Sequence, residues 1–201
     1  MAAQKNKKEL PISDSNRPSI VWFRQDLRLA DNPALCAACE KGKIIPVYIL
    51  DDNTAGDWRM GGASRWWLHY ALESLNISLH GKLQLYLGEP LAILSKLVSD
   101  TSAQGVYWNR CYEPWRIARD GDIKTALKAA DIEVQSFNGS LLWEPWQVLK
   151  KDQTPYKVFT PYYRRGCLSK VPPRKPLAMP NSISSLDVSK ESLPLEDFDL
   201  L

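Results

Sequence analysis

Two segments of strand length in this chain are continuously apolar instead of alternating between apolar and polar residues. They are Ser19 to Phe23, which reads SIVWF, and Ile44 to Leu50, which reads IIPVYIL. A strand with one face in water alternates, whereas a strand covered by helices on both faces does not. The two segments therefore predict buried neighbours in a parallel sheet.

Further strand-length runs alternate with segments of helical period. The predicted additional strands are Leu83 to Leu87, Val106 to Trp108 and Glu133 to Phe137, and the predicted helices are Pro33 to Glu40, one from Ser64, one from near Pro90 and one following Arg119. Regular strand–helix alternation is typical of an α/β fold. We predict a doubly wound five-stranded parallel sheet of Rossmann-like form.

The periodic pattern stops after Phe137, and a proline-rich tail begins at Val171. This tail contains no periodic element large enough to bury anything, which is typical of a linker. We therefore expect a polar N-terminal arm at 1–18, an α/β domain at 19–170 and an interdomain linker at 171–201. A further domain is expected to follow the linker and to be absent from the chain.

Charge and cysteine content narrow the class of protein only slightly. The net charge of +3 is too small to imply a nucleic-acid or membrane partner by itself. The four cysteines lack the spacing of a disulfide scaffold and fit a reducing compartment, so we expect a cytoplasmic protein. No apolar run approaches the length of a membrane span.

Ligands of open parallel sheets bind at the carboxyl ends of the strands. The sequence has neither the G-x-G-x-x-G fingerprint nor the phosphate-binding P-loop, which disfavours ordinary NAD dehydrogenases and P-loop enzymes. Charges alternate after the first strand, at Arg24, Asp26, Arg28 and Asp31, where they fit either a charged ligand or a structural network. We predict neither a metal site nor a catalytic residue.

Three blocks, in this order along the chain, resemble the DNA photolyase and cryptochrome family. They are WFRQDLRL at 22–29 followed by Asp31-Asn32, YWNRCYEP at 107–114 followed by Arg119-Asp120, and YKVFTPYY at 156–163. The resemblance implies the amino-terminal light-harvesting domain of a deoxyribodipyrimidine photolyase. In many members of that family this domain holds an antenna chromophore, a deazaflavin or a reduced folate, and FAD lies in a following helical domain.

The resemblance also implies a function for the intact protein, which is repair of UV-induced pyrimidine dimers in DNA by light-driven electron transfer from reduced FAD. Such a parent is a carbon–carbon lyase, whereas the chain alone is expected to be inactive. Its partners would be the FAD domain and, through the intact protein, damaged DNA. Without that domain, the aromatic residues Phe159, Tyr162 and Tyr163 would be exposed and would favour weak self-association.

Candidate cofactor-binding residues follow from the strand ends and from the resemblance. Asn109 and Glu113 follow the fourth strand, where polar groups can orient a flat ring. The resemblance aligns Arg65, Glu113 and the Tyr48 to Asp51 edge of the second strand with contacts of a deazaflavin, and it places Cys111 at a further contact position. Cys111 departs from the family's usual Asp, and Trp115-Arg116 departs from the Asn-Glu pair that holds folate in the bacterial mode.

Two other interpretations stay open at this point. One is a fragment of a cryptochrome-like blue-light photoreceptor, which the sequence beyond Leu201 would distinguish from a photolyase. The other is a stand-alone nucleotide-binding α/β module, which should have a compact carboxyl end.

Overall fold

The computed structural model describes residues 17–186 and 192–201; most of the predicted N-terminal arm and part of the predicted linker lie outside these ranges. The five strands are β1 (Ser19–Phe23), β2 (Ile44–Leu50), β3 (Gln84–Leu87), β4 (Gly105–Asn109) and β5 (Glu133–Phe137). All pairings are parallel, and the spatial order is β3-β2-β1-β4-β5. The predicted doubly wound sheet is confirmed.

Helices cover both faces of the sheet and connect its strands. They are α1 (Pro33–Lys41), α2 (Gly62–Ser78), α3 (Pro90–Thr101) and α4 (Pro114–Ala129). Residues of α1 and α2 form one hydrophobic core with one face of the sheet, and residues of α3 and α4 form a second core with the other face. Every residue of β1 and β2 is buried, which explains why neither strand alternates in hydropathy.

Helix α4 begins at Pro114, so the prediction that it follows Arg119 is wrong. Proline is favoured at the first helical position, because its φ angle is already helical and its missing N–H would have no partner there. The first turns of α4 place Trp115, Arg116 and Arg119 beside a cavity. They therefore lack the apolar periodicity by which a core-facing helix is recognised. Helix α2 likewise begins before Ser64, at Gly62.

Beyond β5 the chain forms a short 3₁₀ turn (Pro145–Gln147) and then a helical segment. A single α-helical turn, α5 (Phe159–Pro161), continues into a π-helical turn (Tyr162–Cys167). The helical pattern of the sequence around Val158 to Leu168 predicts a helix there, and this segment confirms it. None of the helices in the described ranges is long and apolar enough to cross a membrane.

The tail packs against the domain, contrary to the expectation that it buries nothing. Its backbone pairs with the start of β2, where the Ile44 amide donates to the Ser184 carbonyl at 2.9 Å. Further on, Phe198 and Leu200 are almost fully buried against the α2 side of the sheet. These two residues are widely separated from the core in sequence and lack helical or strand periodicity, so hydropathy patterning does not identify them.

Candidate functional site

A cavity of about 470 Å³ opens at the carboxyl ends of β1 and β2, between the first turns of α2 and α4. This is the edge of a parallel sheet at which ligands bind, because the strand order reverses beside β1. The cavity is lined by Trp22, Arg24, Gln25, Leu27, Tyr48, Ile49, Leu50, Asp51, Met60, Ala63, Ser64, Trp67, Leu68, Trp115, Arg116 and Arg119.

Aromatic side chains form much of the cavity wall. Trp22 is buried in β1, whereas Trp67 on α2 is 60% exposed and lies at the opening. Trp115 contributes from the first turn of α4. Tyr48 is also buried, and that burial raises the pKa of its hydroxyl far above the usual range. The wall therefore combines flat apolar surfaces with a phenol that stays protonated, which suits a planar conjugated ligand.

Arg119 connects the cavity to the buried charges behind it. Its guanidinium donates to Asp51 at 3.2 Å and to Asp120 at 2.9 Å. The same group lies 5.0 Å from the ring centroid of Trp22 and 5.2 Å from that of Trp115. Two carboxylates and two aromatic rings thus fix the position of one cation, and Arg119 adds positive charge to the cavity wall.

The loop after β1 forms a buried polar network. Arg24 makes an ion pair with Asp120 and donates to the backbone carbonyl of Asn109. The Asn109 amide donates to Asp26 at 2.5 Å and to Asn32 at 2.7 Å. Asp26 also accepts from the Arg24 amide at 2.9 Å. Of the two interpretations of the alternating charges, the structural network therefore holds for Arg24 and Asp26.

Arg116 is the cavity-lining cation with the weakest pairing. It donates to the Cys111 sulfur at 3.3 Å, and its Nε lies 3.7 Å from a Glu113 carboxylate oxygen, without a hydrogen bond. Burial raises the pKa of Glu113, but backbone amides, Gln25 and the Arg116 charge outweigh burial and hold this pKa below its usual range. Glu113 is therefore ionised at neutral pH, and Arg116 retains donor capacity for a ligand.

The six predicted site residues do not all line the cavity. Tyr48 and Asp51 line it. Cys111 and Glu113 do not line the cavity, but both contact Arg116, which does. Arg65 is one contact away, since it pairs with Asp52 and donates to the carbonyl of the lining residue Met60 at 3.1 Å. Asn109 belongs to the buried network and orients the β1 loop instead of facing the cavity.

Several lining residues escaped the sequence-based selection. Trp22 lies within an apolar strand and cannot be distinguished from core by hydropathy. Trp115, Arg116 and Arg119 belong to the turns of α4 that precede the start predicted for this helix. One feature of the sequence could have identified them. Pro114 is a residue that favours the start of a helix, and one aromatic and two cations follow it at positions i, i+1 and i+4, which lie close together on a helix. In the described residues there is no group of three or more His, Cys, Asp or Glu side chains that could hold a metal ion.

Comparison with known families and proteins agrees with this architecture. The family model for DNA photolyase matches residues 19–181. A deoxyribodipyrimidine photo-lyase of Agrobacterium fabrum is 43% identical over 194 residues, which are 94% of this chain and 40% of that protein. Cryptochrome-1 of Arabidopsis thaliana is 39% identical over 176 residues, which are 86% of this chain and 26% of that protein. The chain thus spans well under half the length of these relatives.

Solved structures show the same fold. A bacterial class III photolyase from Agrobacterium tumefaciens superposes with a TM-score of 0.84 at 38% identity, covering 98% of this chain and 40% of that one. An archaeal photolyase from Sulfolobus tokodaii superposes with a TM-score of 0.68 at 25% identity, covering 90% and 40%. The archaeal structure is described as containing two FAD molecules, with the implication of a novel light-harvesting cofactor.

Proposed function

This chain belongs to the DNA photolyase family, and from that premise we propose that it is the domain that binds the light-harvesting chromophore. The observation that carries the proposal is the cavity at the ends of β1 and β2, with its aromatic wall and its cations. Its volume lies within the range of about 300–1,000 Å³ that is usual for small-molecule sites.

The lining residues fit a planar chromophore that carries a negative group. Trp67 and Trp115 offer ring faces for stacking, and Arg116 has a donor without a hydrogen-bond partner. Asp51 is held by Arg119, so the carboxylate at the end of β2 is already neutralised by a fixed cation. When bound, an antenna chromophore supplies absorption of light and transfer of excitation energy to a flavin. The chain's own residues hold the chromophore, orient it and shield it from water.

The chromophore proposed is a deazaflavin or a reduced folate. Tyr48, Asp51, Arg65, Asn109, Cys111 and Glu113 remain the proposed cofactor-binding residues, with Tyr48 and Asp51 in direct contact and the others supporting the wall. Cys111 in place of an Asp removes an acceptor, and Arg116 at the position of a folate-binding Glu replaces an acceptor with a cation. Both chromophores carry groups that can accept from Arg116.

For the whole protein, we propose repair of pyrimidine dimers by light-driven electron transfer from reduced FAD. FAD would be bound by a helical domain after the 171–201 linker, and damaged DNA would be bound by the intact protein, which would be cytoplasmic. The 19–170 domain alone would be catalytically inactive. The 39% identity to a plant cryptochrome supports a blue-light photoreceptor as the alternative. A repair assay on the full-length protein with dimer-containing DNA distinguishes the two functions.

The chromophore proposal is tested with absorption spectra of the purified chain. The chain is mixed separately with a reduced folate, a deazaflavin and FAD, and each mixture is separated from free ligand by gel filtration. We expect a visible or near-ultraviolet band to be retained with the folate or the deazaflavin. Retention of FAD in place of both would overturn the chromophore class, and retention of none would overturn autonomous binding by this domain.

A pair of tryptophan variants assigns any retained band to the cavity. Trp67→Ala removes a lining ring, whereas Trp58→Ala removes a ring that is 81% exposed and does not line the cavity. We expect the band to be lost or weakened in Trp67→Ala and preserved in Trp58→Ala. Equal retention by both variants would place the chromophore elsewhere.

A further inference from the structure

Two tryptophan rings of the cavity wall each have two cations over them. Arg24 and Arg119 lie 4.8 Å and 5.0 Å from the ring centroid of Trp22. Arg116 and Arg119 lie 4.8 Å and 5.2 Å from the ring centroid of Trp115. Both rings line the cavity, so the indoles nearest to a bound ligand on the β1 and α4 sides are also the ones that carry positive charge beside them.

Trp108 contacts Trp22 and has a similar environment. The two rings pack edge to face, with their centroids 5.6 Å apart. Lys124 lies 5.7 Å and Arg24 lies 5.9 Å from the centroid of Trp108. The indole N–H groups of Trp22 and Trp108 are buried and have no hydrogen-bond acceptor among the described residues. An oxidised indole at either position could therefore not pass its proton to a neighbouring base, and the positive charge would stay on the ring.

A cation over an aromatic ring stabilises the neutral ring and destabilises the oxidised one. The quadrupole of a neutral indole attracts a cation at its face. Loss of one electron makes the ring positive, so that the attraction becomes a repulsion between two like charges. At the effective dielectric constant of a protein this repulsion is large compared with thermal energy. The cations over these tryptophans therefore make the indoles harder to oxidise.

An excited chromophore in the cavity can take an electron from a neighbouring indole. One electron then leaves the indole and enters the chromophore, and its return releases the excitation as heat instead of passing it on. We propose that the cations over Trp22 and Trp115 suppress the oxidation of these rings and thereby protect the excited chromophore. The inference rests on the chromophore proposal, and it gives the cations a role beyond holding a ligand.

Trp67, on the α2 side of the cavity, is an internal reference. Its ring lines the cavity, but among the described residues no lysine or arginine lies over it. An unprotected indole should quench the chromophore, so Trp67→Phe should lengthen the excited-state lifetime of a bound chromophore. Trp115→Phe should leave this lifetime unchanged, because the Trp115 ring is already protected. An equal increase in both variants would contradict the protection of Trp115.

The first test needs no chromophore. Azide radicals, produced by radiolysis of aqueous azide, are uncharged one-electron oxidants of indole, and mass spectrometry of peptides measures the oxidation of Trp115 relative to Trp67. Arg116 is the cation to remove, because its one ion pair among the described residues, with Glu113 at 3.7 Å, neutralises it weakly. We expect Arg116→Gln to increase the oxidation of Trp115 by about twofold or more, since a repelling charge is lost. An unchanged oxidation of Trp115 would overturn the proposal.

Two control variants separate charge from packing. Arg116→Lys keeps a positive charge at this position, and its Trp115 should be oxidised to the same extent as that of the parent chain. Equal oxidation of Trp115 in Arg116→Lys and Arg116→Gln would show that packing protects the ring and would contradict a role of charge. Lys128→Gln removes the same charge from an exposed position on α4 and should leave Trp115 unaffected. Circular dichroism verifies that each variant is folded.

The second test is the fluorescence lifetime of the reduced folate or the deazaflavin, whichever the chain retains. A lifetime does not depend on occupancy, so weaker binding by a variant does not affect it. Arg116→Gln should shorten the lifetime by about twofold or more. Adding Trp115→Phe to this variant should restore the parent lifetime, because phenylalanine is much harder to oxidise than tryptophan.

An unchanged lifetime in Arg116→Gln, or a lifetime that Trp115→Phe does not restore, would overturn the proposal. Retention of neither ligand would instead overturn the chromophore proposal. In that case the oxidation of Trp115 by azide radicals still decides whether the cation protects the ring, so the two failures are distinguishable.

Discussion

The guanidinium of Arg119 lies 5.0 Å from the ring centroid of Trp22 and binds two carboxylates at the same time. Arg24 lies 4.8 Å from the same ring, so two cations flank the innermost aromatic of the cavity wall. Asp51 and Asp120 supply the charges that keep both cations in place. These contacts position Trp22, Arg24 and Arg119 relative to one another, so this part of the cavity wall is formed without a ligand.

Asp120 is the carboxylate shared by both of these cations. Asp120→Asn should destabilise the fold by about 3–5 kcal/mol, because it leaves the buried charge of Arg24 without its counterion. Urea unfolding measures the change. Asp122→Asn, at an exposed position on the same helix, is the matched control and should stay within about 0.5 kcal/mol of the parent chain. Equal effects of the two substitutions would contradict the role given to Asp120.

Gly139 allows the loop after β5 to pack against Asn109. An added Cβ would lie 2.6 Å from the Asn109 side-chain carbon, so Gly139→Ala should cost about 1–3 kcal/mol. Gly121 lies in α4 with open space around it, and Gly121→Ala should stabilise the helix by about 0.5–1 kcal/mol. Opposite shifts of the thermal midpoint are expected, and a neutral Gly139→Ala would contradict the close packing.

The carboxyl-terminal residues of the chain should contribute to stability. Phe198 is 2% exposed, and its ring centroid is 6.4 Å from that of Tyr48, which lines the cavity. Phe198→Ala should therefore cost about 3–5 kcal/mol through the void that it leaves. Leu201→Ala, at a residue that is 70% exposed, should be almost neutral. A Phe198→Ala variant as stable as Leu201→Ala would mean that the tail only connects and does not pack.

Tyr112 should make stability depend on pH at the alkaline end. Burial, together with its 2.8 Å hydrogen bond to Glu144, raises the pKa of Tyr112 from 10.0 to about 12. The folded state thus holds the phenolic proton more tightly than the unfolded state. The resulting stability is fully present below about pH 10 and is lost as the pH rises through about 12.

The comparison is urea unfolding of the parent chain and of Tyr112→Phe over this pH range. The stability difference between them should shrink as the pH rises, because phenylalanine has no proton to lose. Tyr70→Phe, at an exposed tyrosine, is the control and should follow the parent chain. A difference between the parent chain and Tyr112→Phe that does not change with pH would contradict the raised pKa.

The fold was largely predictable from the sequence, because β1 and β2 are apolar throughout and the helical periods between the strands are regular. The start of α4 and the packing of Phe198 were not, since the first turns of α4 lack apolar periodicity and Phe198 packs against partners distant in sequence. Trp115 and Arg119 face a cavity and not the core, so the apolar periodicity by which a helix is recognised does not include them. Phe198 is one apolar residue among acidic ones, and only the folded domain shows what it packs against.

The location of the candidate site could be predicted from the sequence, but only some of the residues that line it could. The rule that ligands bind at the carboxyl ends of parallel strands located the cavity, and Tyr48 and Asp51 line it. Asn109 has the right position in sequence, but its side chain turns toward Asp26 and Asn32 because these buried polar groups need partners. The positions of the strands could therefore be predicted, whereas the directions of the side chains that follow them could not, and these directions decide which residues line the cavity.

The most direct test of the chromophore proposal is the dissociation constant of the retained chromophore in a chain whose cavity is filled. Ala63 lines the cavity, and Ala63→Trp places an indole in that space, whereas Ala129→Trp adds the same ring at an exposed position at the end of α4. We expect Ala63→Trp to weaken binding by about tenfold or more, equivalent to about 1.4 kcal/mol, and Ala129→Trp to leave it unchanged. Unchanged affinity in Ala63→Trp would contradict the assignment of this cavity to the chromophore.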